Sequence, residues 1–506
     1  MFWADEIAQK IKKRNLPLEW VDDMKTPSGR VHVGALRGVV VHDLIYRALK
    51  DIGVNSKYTY VFEDHDPMDD IPSYLNRQEY EKYLGMPLFS IPSPEKGFDN
   101  FAQYYALEFQ NAFNRIGSSP EILWTSQLYK SGKMNDGIKK ILDNSEEVRK
   151  IYSQLYGKEI ASDWFPFQVY CENCGKVSTT RVYEWDGEMV YYRCPVDVTD
   201  WTKGCEHEGK TSPFSNENEI KGKMPWKVEW PVKWMAIGVT VEGAGKDHMS
   251  AGGSHDLATQ VCERILNYPV PYPIPYEFFL VGGRKMSSSK GRGYSATAMV
   301  EILPPELLRF LMVKTRLNLA INFDPEESET IPKLFDEYQE YAQHYFSDTK
   351  DDYARVFELS QVGGVKKPTD LRFARIAQMI QMPNTESEIE KENAQEWAEY
   401  ARIWIERFAQ EKDKFLVQKD IPDISDLNTE QKKYLQELSV KLENNLDTER
   451  IQEIVYGTSK EMGLSSKDAF KAIYTSLLGK DHGPKASELI ASLDIEFVKK
   501  RFKDAS

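Results

Sequence analysis

Two stretches of the sequence combine glycine turns with side chains that can bind phosphate. The first, TPSGRVHVGA (26–35), sets His32 between a Pro/Gly turn and an apolar run with helical spacing. The second, GGRKMSSSKG (282–291), holds Lys285 and Lys290 on either side of three serines. A helix N-terminus presents backbone N–H groups to an anion, and ammonium groups offset charge that develops on a leaving phosphate. Either stretch alone is compatible with an ordinary turn or surface loop, whereas the pair indicates a site that closes over a triphosphate.

A cluster of cysteines has the spacing of a metal site. Four of the five cysteines lie close together in the sequence: Cys171, Cys174, Cys194 and Cys205. A C-x2-C pair with two further ligands later in the chain suits tetrahedral zinc better than a disulfide framework. Cys205 is the favoured fourth ligand, and His207 is the alternative. The metal is expected to be structural in both cases, because a saturated site leaves no open position for chemistry.

Acidic and aromatic residues mark further candidate binding segments. YVFEDHDPMDD places Asp64 and Asp66 after a β-like run, where α/β sheets bind ligands, although so acidic a run also suits a solvated loop. In AGKDHMSAGG, small residues let a ribose approach the backbone, and Asp247 can accept from its hydroxyls. PWKVEWPVKW (225–234) spaces three tryptophans four apart, but its two prolines predict against one uninterrupted helix.

The pattern around these motifs alternates strands with helices. LEWVDDM precedes the first motif, a helix is predicted from about Leu36 to Lys50, and KYTYVFED is typical of the next strand. Residues 98–160 are mostly helical in pattern, residues 166–222 are short and polar, and β-like runs then return. The predicted fold is therefore α/β: a doubly wound parallel sheet, split by a helical and zinc-binding insertion and followed by an all-α C-terminal domain.

These shifts in pattern predict the domain boundaries. Helical periodicity with mixed charge dominates after about residue 345. The predicted segments are the first half of a catalytic domain (1–97), a helical insertion (98–165), a zinc-binding insertion (166–222), the second half of the catalytic domain with the serine-rich loop (223–300), a connecting region (301–345) and a helical domain (346–506).

Composition excludes several classes of protein. The chain has 506 residues, of which 41% are hydrophobic, so it can bury several cores and is neither disordered nor fibrous. Its net charge of −14 argues against indiscriminate binding to nucleic acid, although a local basic face remains compatible with that sum. The N-terminal sequence lacks the apolar region of a signal peptide, and no stretch has the length of a membrane span. A cytoplasmic protein without membrane association is therefore expected.

The two phosphate-binding motifs resemble the signatures of a known enzyme class. HVGA (32–35) and KMSSSKG (285–291) are similar to the HIGH and KMSKS motifs of class I aminoacyl-tRNA synthetases. Within that class the chain most resembles the class I lysyl-tRNA synthetase family, through TPSGRVHVGALRG, EYEKYLGMPL, WKVEWPVKW, AGKDHMSAGGSHD and PYEFF. The resemblance implies a Rossmann-like catalytic domain that activates lysine with ATP and Mg²⁺ and transfers it to tRNA(Lys).

The resemblance also implies roles for particular residues. It makes His32, Lys285 and Lys290 catalytic. The implied ATP-binding residues are Thr26, Pro27, Ser28, Gly29, His32, Gly34, Ala35, Asp247, Lys285, Met286, Ser287, Ser288, Ser289 and Lys290. The implied lysine-binding residues are Asp64, Asp66, Trp226, His248 and Tyr276. The chain departs from the family at Asp23-Met24-Lys25, a segment in which the family has a glycine.

Two other functions share these motifs. A glutamyl or cysteinyl class I synthetase differs in the amino acid that supports ATP–pyrophosphate exchange, and a non-catalytic synthetase-like RNA-binding protein is expected to lack His32 or a loop lysine. The C-terminal stretch AFKAIYTSLLGKDHGPKASELIASLDIEFVKKRF resembles the helical anticodon-binding cage shared with glutamyl-tRNA synthetases, so tRNA is the expected macromolecular partner. A plain helical bundle is the alternative for this stretch, and a monomer is expected.

Overall fold

The computed structural model describes residues 1–217, 219–286, 293–444 and 446–506. The chain divides into two compact units. The first contains residues 1–324 and 347–365, and the second contains residues 325–346 and 366–506. The predicted boundary at residue 346 differs from this division, because the helix that ends there belongs to the second unit.

A five-stranded parallel sheet forms the centre of the first unit. Its strands lie in the order β10-β9-β1-β2-β3. Their bounds are β1 (Glu19–Lys25), β2 (Ser56–Phe62), β3 (Glu121–Trp124), β9 (Val241–Gly245) and β10 (Tyr272–Tyr276). The chain builds outward from β1 to β3 and then crosses to the other side of β1. The resulting switch point lies between β1 and β9, and open α/β sheets bind their ligands outside the carboxyl ends of strands at such a point.

Helices surround this sheet in the described part of the first unit. They are α1 (Trp3–Lys12), α2 (Ala35–Asp51), α3 (Arg77–Tyr80), α4 (Phe101–Arg115), α5 (Thr125–Lys130), α6 (Asn135–Asp143), α7 (Ser145–Tyr156), α8 (Trp226–Ile237), α9 (Lys246–Met249), α10 (Ser254–Val261), α11 (Ala296–Ile302), α12 (Pro305–Val313) and α14 (Asp352–Ser360). A π-helical turn, Cys262–Leu266, continues α10. The predicted β1–α2–β2 beginning is confirmed.

The predicted helical insertion does not begin at residue 98. Helix α4 packs on the sheet through Phe109 and Phe113, whose rings lie 6.1 and 5.4 Å from that of Tyr60 on β2. Strand β3 then pairs in parallel with β2 and completes one edge of the sheet. The strand was not predicted because its sequence, EILW, has only four residues and cannot display a reliable alternation.

The prediction against one uninterrupted helix at PWKVEWPVKW is wrong. Helix α8 runs through Pro231, and Pro225 occupies its N-cap. A proline inside a helix costs about 3 kcal/mol because it removes a backbone hydrogen bond and crowds the preceding turn. Trp230, Val232 and Trp234 are buried on this helix, and burial of such side chains at about 1.5–3 kcal/mol each offsets that cost.

The remaining strands form small sheets, two of them antiparallel and one mixed, in which β11 pairs in parallel with β13. Strands β5 (Arg181–Trp185), β6 (Val190–Arg193) and β7 (Glu208–Thr211) form one sheet in the cysteine-bearing segment. Strands β4 (Gln168–Val169) and β8 (Gly222–Lys223) pair at the two ends of that segment and so close it. Strands β11 (Phe279–Val281), β12 (Arg284–Lys285) and β13 (Ile321–Asn322) form the third small sheet, which leads into the serine-rich loop.

The described residues of the second unit contain helices and no strand, as predicted for the C-terminal part of the chain. The helices are α13 (Thr330–Phe346), α15 (Phe373–Met379), α16 (Glu386–Lys391), α17 (Gln395–Arg407), α18 (Thr429–Lys441), α19 (Thr448–Glu461), α20 (Ser466–Leu478), α21 (Ala486–Ser492) and α22 (Ile495–Asp504). Phe335 packs against Phe373 and Trp397 in its core, with ring centroids 4.2 and 4.7 Å apart. Among the residues that the structure describes, no helix combines the length and apolarity that a membrane span needs.

Candidate active site

The first motif lies where β1 ends and α2 begins. Residues 26–34 form the connection, with Pro27, Ser28 and Gly29 in its turn and Ala35 as the first residue of α2. Gly29 has a φ of 153°, and a Cβ there would lie 2.9 Å from the Tyr74 hydroxyl. That hydroxyl accepts the backbone N–H of Arg30 at 2.7 Å. The turn therefore requires glycine at position 29 and is fixed by hydrogen bonding.

His32 stands at the N-terminus of α2 with an unsatisfied ring nitrogen. Its Nδ1 is buried and has no hydrogen-bond partner among the described residues. A Cβ on Gly34 would lie 2.9 Å from this Nδ1 and 3.0 Å from Cε of Met286, so glycine is needed to let the two motifs approach. The backbone N–H of Val33 donates to the carbonyl of Tyr294 at 2.9 Å, which fixes the same approach.

Two lysines make the surroundings of His32 positive. Burial, and then the charges of Lys25 and Lys285, lower the pKa of His32 to about 4. Lys25, the last residue of β1, was not predicted as a site residue. Burial lowers the pKa of Lys25 itself, against the charges of Asp23 and Asp66, and the charge of Lys285 adds to the lowering. A neutral imidazole and two ammonium groups at a helix N-terminus form a site that favours an anion.

The described part of the second motif lies next to Asp247. Lys285 ends β12, and its Nζ lies 2.5 Å from Oδ2 of Asp247 and 4.2 Å from the ring centroid of Phe278. Burial alone would raise the pKa of Asp247, but the hydrogen bond from Lys285 lowers it. Met286 is buried. The predicted site residues Ser287, Ser288, Ser289 and Lys290 lie outside the described residues.

The predicted aromatic residues of the amino-acid site lie on three elements: Trp226 begins α8, His248 is on α9 and Tyr276 ends β10. The ring of His248 is 5.7 Å from that of Trp226 and 6.2 Å from that of Trp230, and its Nδ1 is 2.9 Å from the Ser254 hydroxyl. Tyr276 lies on the α2 side, where its hydroxyl is 2.6 Å from the position that a Cβ on Gly38 would take. The structure therefore brings Trp226 and His248 together, and it places Tyr276 beside Gly38 of α2.

Both predicted ammonium acceptors are already engaged by protein groups. Asp64 is buried, and its two oxygens accept the backbone N–H (2.8 Å) and hydroxyl (2.5 Å) of Ser126. Burial raises the pKa of Asp64 to about 6 against these hydrogen bonds. Asp66 accepts the hydroxyl of Thr26 at 2.6 Å and an ammonium hydrogen bond from Lys223. Neither carboxylate keeps an oxygen without a partner.

Sequence reasoning missed a buried ionic network at the same edge of the sheet. Lys233 on α8 lies 2.5 Å from both oxygens of Glu63 and 3.3 Å from Glu229, and Glu229 is 3.4 Å from Lys223. Burial raises the pKa of Glu63 to about 7, although Lys233 opposes this shift. The signal was present in the sequence, since Lys223 and Lys233 interrupt an aromatic-rich apolar run and buried lysines need anionic partners.

The four clustered cysteines converge in the zinc-binding insertion. One sulfur atom from each of Cys171, Cys174, Cys194 and Cys205 lies within 4.8 Å of the others. The Thr179 hydroxyl lies 3.2 Å from the sulfur of Cys194. His207 lies outside the cluster, with its Nε2 3.9 Å from Oε2 of Glu172. Four thiol ligands at this separation fit a tetrahedral metal ion.

Comparison with protein families gives two matches that divide the chain between them. A family described as "tRNA synthetases class I (K)" matches residues 1–363, and one described as "Anticodon binding domain" matches residues 373–506. The first match includes both phosphate-binding motifs and the cysteine cluster.

Curated relatives match over the whole chain. The lysine–tRNA ligase of Archaeoglobus fulgidus is 33% identical over 521 residues, which cover 100% of this chain and 100% of that protein. The lysine–tRNA ligase of Methanosarcina barkeri is 32% identical over 540 residues, with 100% of this chain and 97% of that protein covered. Among solved structures, a glutamate tRNA ligase from Elizabethkingia meningosepticum has a TM-score of 0.49 at 15% identity, over 96% of this chain and 99% of that one. This last likeness is too weak to bear on the activity.

Proposed function

The chain belongs to the class I tRNA synthetases of the (K) family, and from this premise we propose that it is a lysine–tRNA ligase. The observation that carries the proposal is the similarity to curated lysine–tRNA ligases over the full length of the chain. The similarity includes both the α/β unit and the helical C-terminal unit. The positive surroundings of His32 at a helix N-terminus also support the proposal, because they suit a nucleoside triphosphate.

In the proposed first step, the carboxylate of lysine attacks the α-phosphate of ATP. The bond between the α- and β-phosphates breaks, lysyl-adenylate forms and pyrophosphate leaves. No covalent intermediate with the protein is needed, so positioning and electrostatic stabilisation provide the rate enhancement. The 3′-terminal ribose of tRNA(Lys) then attacks the lysyl carbonyl, and AMP leaves.

The proposal assigns parts to His32, the two loop lysines and Asp247. The neutral His32 imidazole donates to phosphate, and Lys285 and Lys290 offset the charge that develops on pyrophosphate. Binding of ATP separates Lys285 from Asp247, whose carboxylate then accepts from the ribose hydroxyls. Mg²⁺ accompanies ATP and shares the charge of the phosphates.

We propose zinc as the ion of the cysteine cluster. Cys171, Cys174, Cys194 and Cys205 supply four soft ligands, and zinc bound there would stabilise the fold of the insertion. His207 remains outside this proposed ligand set, because its ring faces Glu172.

The second unit is the proposed tRNA-binding part. Its residues 373–506 match an anticodon-binding family and form helices throughout their described part, apart from connecting turns. Recognition of the anticodon of tRNA(Lys) by this unit is therefore proposed. The monomeric state and the cytoplasmic location remain predictions of the sequence.

ATP–pyrophosphate exchange with single amino acids tests the proposed function. Lysine is expected to support exchange, and glutamate and cysteine are not. Reactions with and without tRNA show whether activation requires it, and a charging assay with tRNA(Lys) tests the second step. Exchange that depends on glutamate or cysteine instead of lysine, or binding of tRNA without any exchange, would contradict the proposal.

A further inference from the structure

Two acidic side chains lie side by side in the interior at the switch point of the sheet. Asp22 on β1 and Glu242 on β9 are register partners, and they are 0% and 2% exposed. Glu242 accepts the indole N–H groups of Trp230 at 2.7 Å and Trp234 at 2.8 Å. One oxygen of Asp22, Oδ1, accepts the hydroxyl of Thr59. Asp22 and Glu242 are called the acidic pair below.

The acidic pair has no cationic partner among the described residues. Oδ2 of Asp22 is buried without a hydrogen-bond partner there, and no described lysine or arginine lies within 4.0 Å of either carboxylate. Lys233 is the buried cation of this region, and its charge acts against the raised pKa of Asp22, but its ammonium is bound by Glu63 and Glu229. Burial raises the pKa of both members of the acidic pair well above the usual range, and the charge of Asp22 raises that of Glu242 further. Such an arrangement is costly unless a cation enters it or a proton is retained.

The position of the acidic pair relates it to the ends of the strands. Side chains alternate along a strand, so Asp22 and Met24 share one face of β1, and Met24 is the nearer of the two to the carboxyl end of the strand at Lys25. Two residues of a strand rise about 6.6 Å, a distance that the four-carbon side chain of lysine can cover. Trp230 contacts both the acidic pair and the predicted amino-acid site, since its indole N–H donates to Glu242 and its ring packs beside that of His248.

We propose that the acidic pair receives the ε-ammonium group of the lysine substrate and determines the amino-acid specificity. This inference rests on the proposed function. The three N–H donors of an ammonium match the free Oδ2 of Asp22 and the remaining lone pairs of Glu242. In this arrangement, the ring of Trp230 lies beside the methylene groups of the lysine substrate. Met24 packs in the same cluster as Trp230, and its flexible side chain changes rotamer to admit the substrate.

This assignment differs from the two acids that the sequence singled out. Asp64 and Asp66 each have both oxygens bound by Ser126, Thr26 or Lys223, so an incoming ammonium must displace a bond that already exists. At the acidic pair, the same ammonium satisfies an oxygen that has no partner. Because a buried carboxylate oxygen without a partner is costly, binding of the ammonium at the acidic pair is more favourable than binding at Asp64 or Asp66.

Kinetics of variants test the inference. Asp22→Asn and Glu242→Gln are each expected to raise the lysine KM in ATP–pyrophosphate exchange by roughly 10- to 1000-fold, as for the loss of a charge-assisted hydrogen bond. The KM for ATP is expected to stay the same. Both variants should also lose discrimination, measured as the ratio of kcat/KM for lysine to that for 2-aminoheptanoic acid, in which a methyl group replaces the ammonium.

Glu19→Gln is the matched control. Glu19 is also a buried acid of β1, but it lies at the amino end of the strand and accepts from the Thr240 hydroxyl at 2.6 Å. Its lysine KM and its discrimination ratio are expected to equal those of the wild type. Lysine-dependent exchange in the wild type with an unchanged lysine KM in both acidic-pair variants overturns the assignment alone. A wild-type chain that does not activate lysine overturns the proposed function and the inference together.

Calorimetry on the wild type gives a test that does not depend on how the variants fold. Burial and the closeness of two carboxylates favour retention of a proton by the acidic pair, and an ammonium between them favours its release, so lysine binding is expected to release about one proton. Lysine is titrated near neutral pH in buffers of different ionisation enthalpy, and the slope of the binding enthalpy reports the protons released. A slope of zero contradicts the inference.

Discussion

Oγ1 of Thr26 donates a 2.6 Å hydrogen bond to Oδ2 of Asp66 and so joins the chain at the carboxyl ends of β1 and β2. The other oxygen of Asp66 binds the ammonium of Lys223, which is 2% exposed. Burial alone would lower the pKa of Lys223, but Asp66 and then Glu229 hold it above its usual value. Asp66 thus holds the turn that bears His32 and also neutralises a buried cation, which is a structural role.

Asp66→Asn is therefore expected to reduce stability strongly. The substitution leaves Lys223 with Glu229 as its remaining anionic partner at 3.4 Å, and breaking a buried ion pair costs about 3–5 kcal/mol. Urea unfolding followed by circular dichroism measures the loss. Asp69→Asn, which alters an exposed acid of the same loop, should leave the unfolding midpoint near that of the wild type. Equal midpoints for the two variants would show that Asp66 does not support the fold.

Lys285→Ala is expected to slow formation of the adenylate by roughly 10²-fold, because its ammonium acts on charge that develops in the transition state. Binding of the lysine substrate should remain nearly intact, since Lys285 pairs with Asp247 and not with a residue that is proposed to bind lysine. The measurement is the exchange rate at saturating lysine and ATP. Lys290→Ala is expected to behave in the same way.

Arg284→Ala is the matched control for the loop lysines. Arg284 is an exposed cation that precedes Lys285 on β12. If the loss in Lys285→Ala reflects only the removal of positive charge near the site, the control will show a similar loss. A rate close to that of the wild type in Arg284→Ala, with a large loss in Lys285→Ala, assigns the effect to the position of the ammonium.

One zinc per chain is expected, and Cys174→Ala should release it. The effect should extend to the active site, because Val177 donates to the carbonyl of Gly85 at 2.7 Å and Gly85 donates to that of Met68 at 2.9 Å, two residues from Asp66. Metal analysis after purification without chelator measures the zinc content, and exchange kinetics measure the consequence.

Two variants separate the metal site from its surroundings. His207→Ala should keep the zinc, since His207 lies outside the sulfur cluster. Cys262→Ala alters a buried cysteine of the first unit that is not in the cluster, and it should keep the zinc as well. Loss of zinc from His207→Ala but not from Cys205→Ala would make His207 the fourth ligand in place of Cys205.

The parts of the site that could be predicted are those whose sequence signal is local. Turns before helices, a C-x2-C knuckle and long apolar strands are recognisable because a few adjacent residues determine them. Strand β3 is too short for such a signal, and helix α8 forms against the preference of Pro231 because tertiary packing overrides local propensity. The acidic pair depends on register between β1 and β9, whose residues are more than 200 positions apart. No local pattern reports that pairing, whereas the acidic run after β2 predicts Asp64 and Asp66 from adjacent residues alone.

The lowered pKa of His32 predicts how stability depends on pH. In the folded chain this pKa is about 4, while an unfolded histidine has its ordinary value of 6.5. Between these values the unfolded chain binds the proton more tightly, so stability should be fully present above about pH 6.5 and fall as the pH drops toward 4.

His65, His248 and His255 also have lowered pKa values, so the contribution of His32 is measured by comparing the wild type with a His32 variant. Urea unfolding near pH 7.5 and pH 4.5 measures this: the free energy of unfolding should fall by about 2–3 kcal/mol more in the wild type than in His32→Gln, since one pKa unit corresponds to about 1.4 kcal/mol. Parallel stability curves for the two proteins would show that His32 titrates normally and that burial and the two lysines beside it do not hold it neutral.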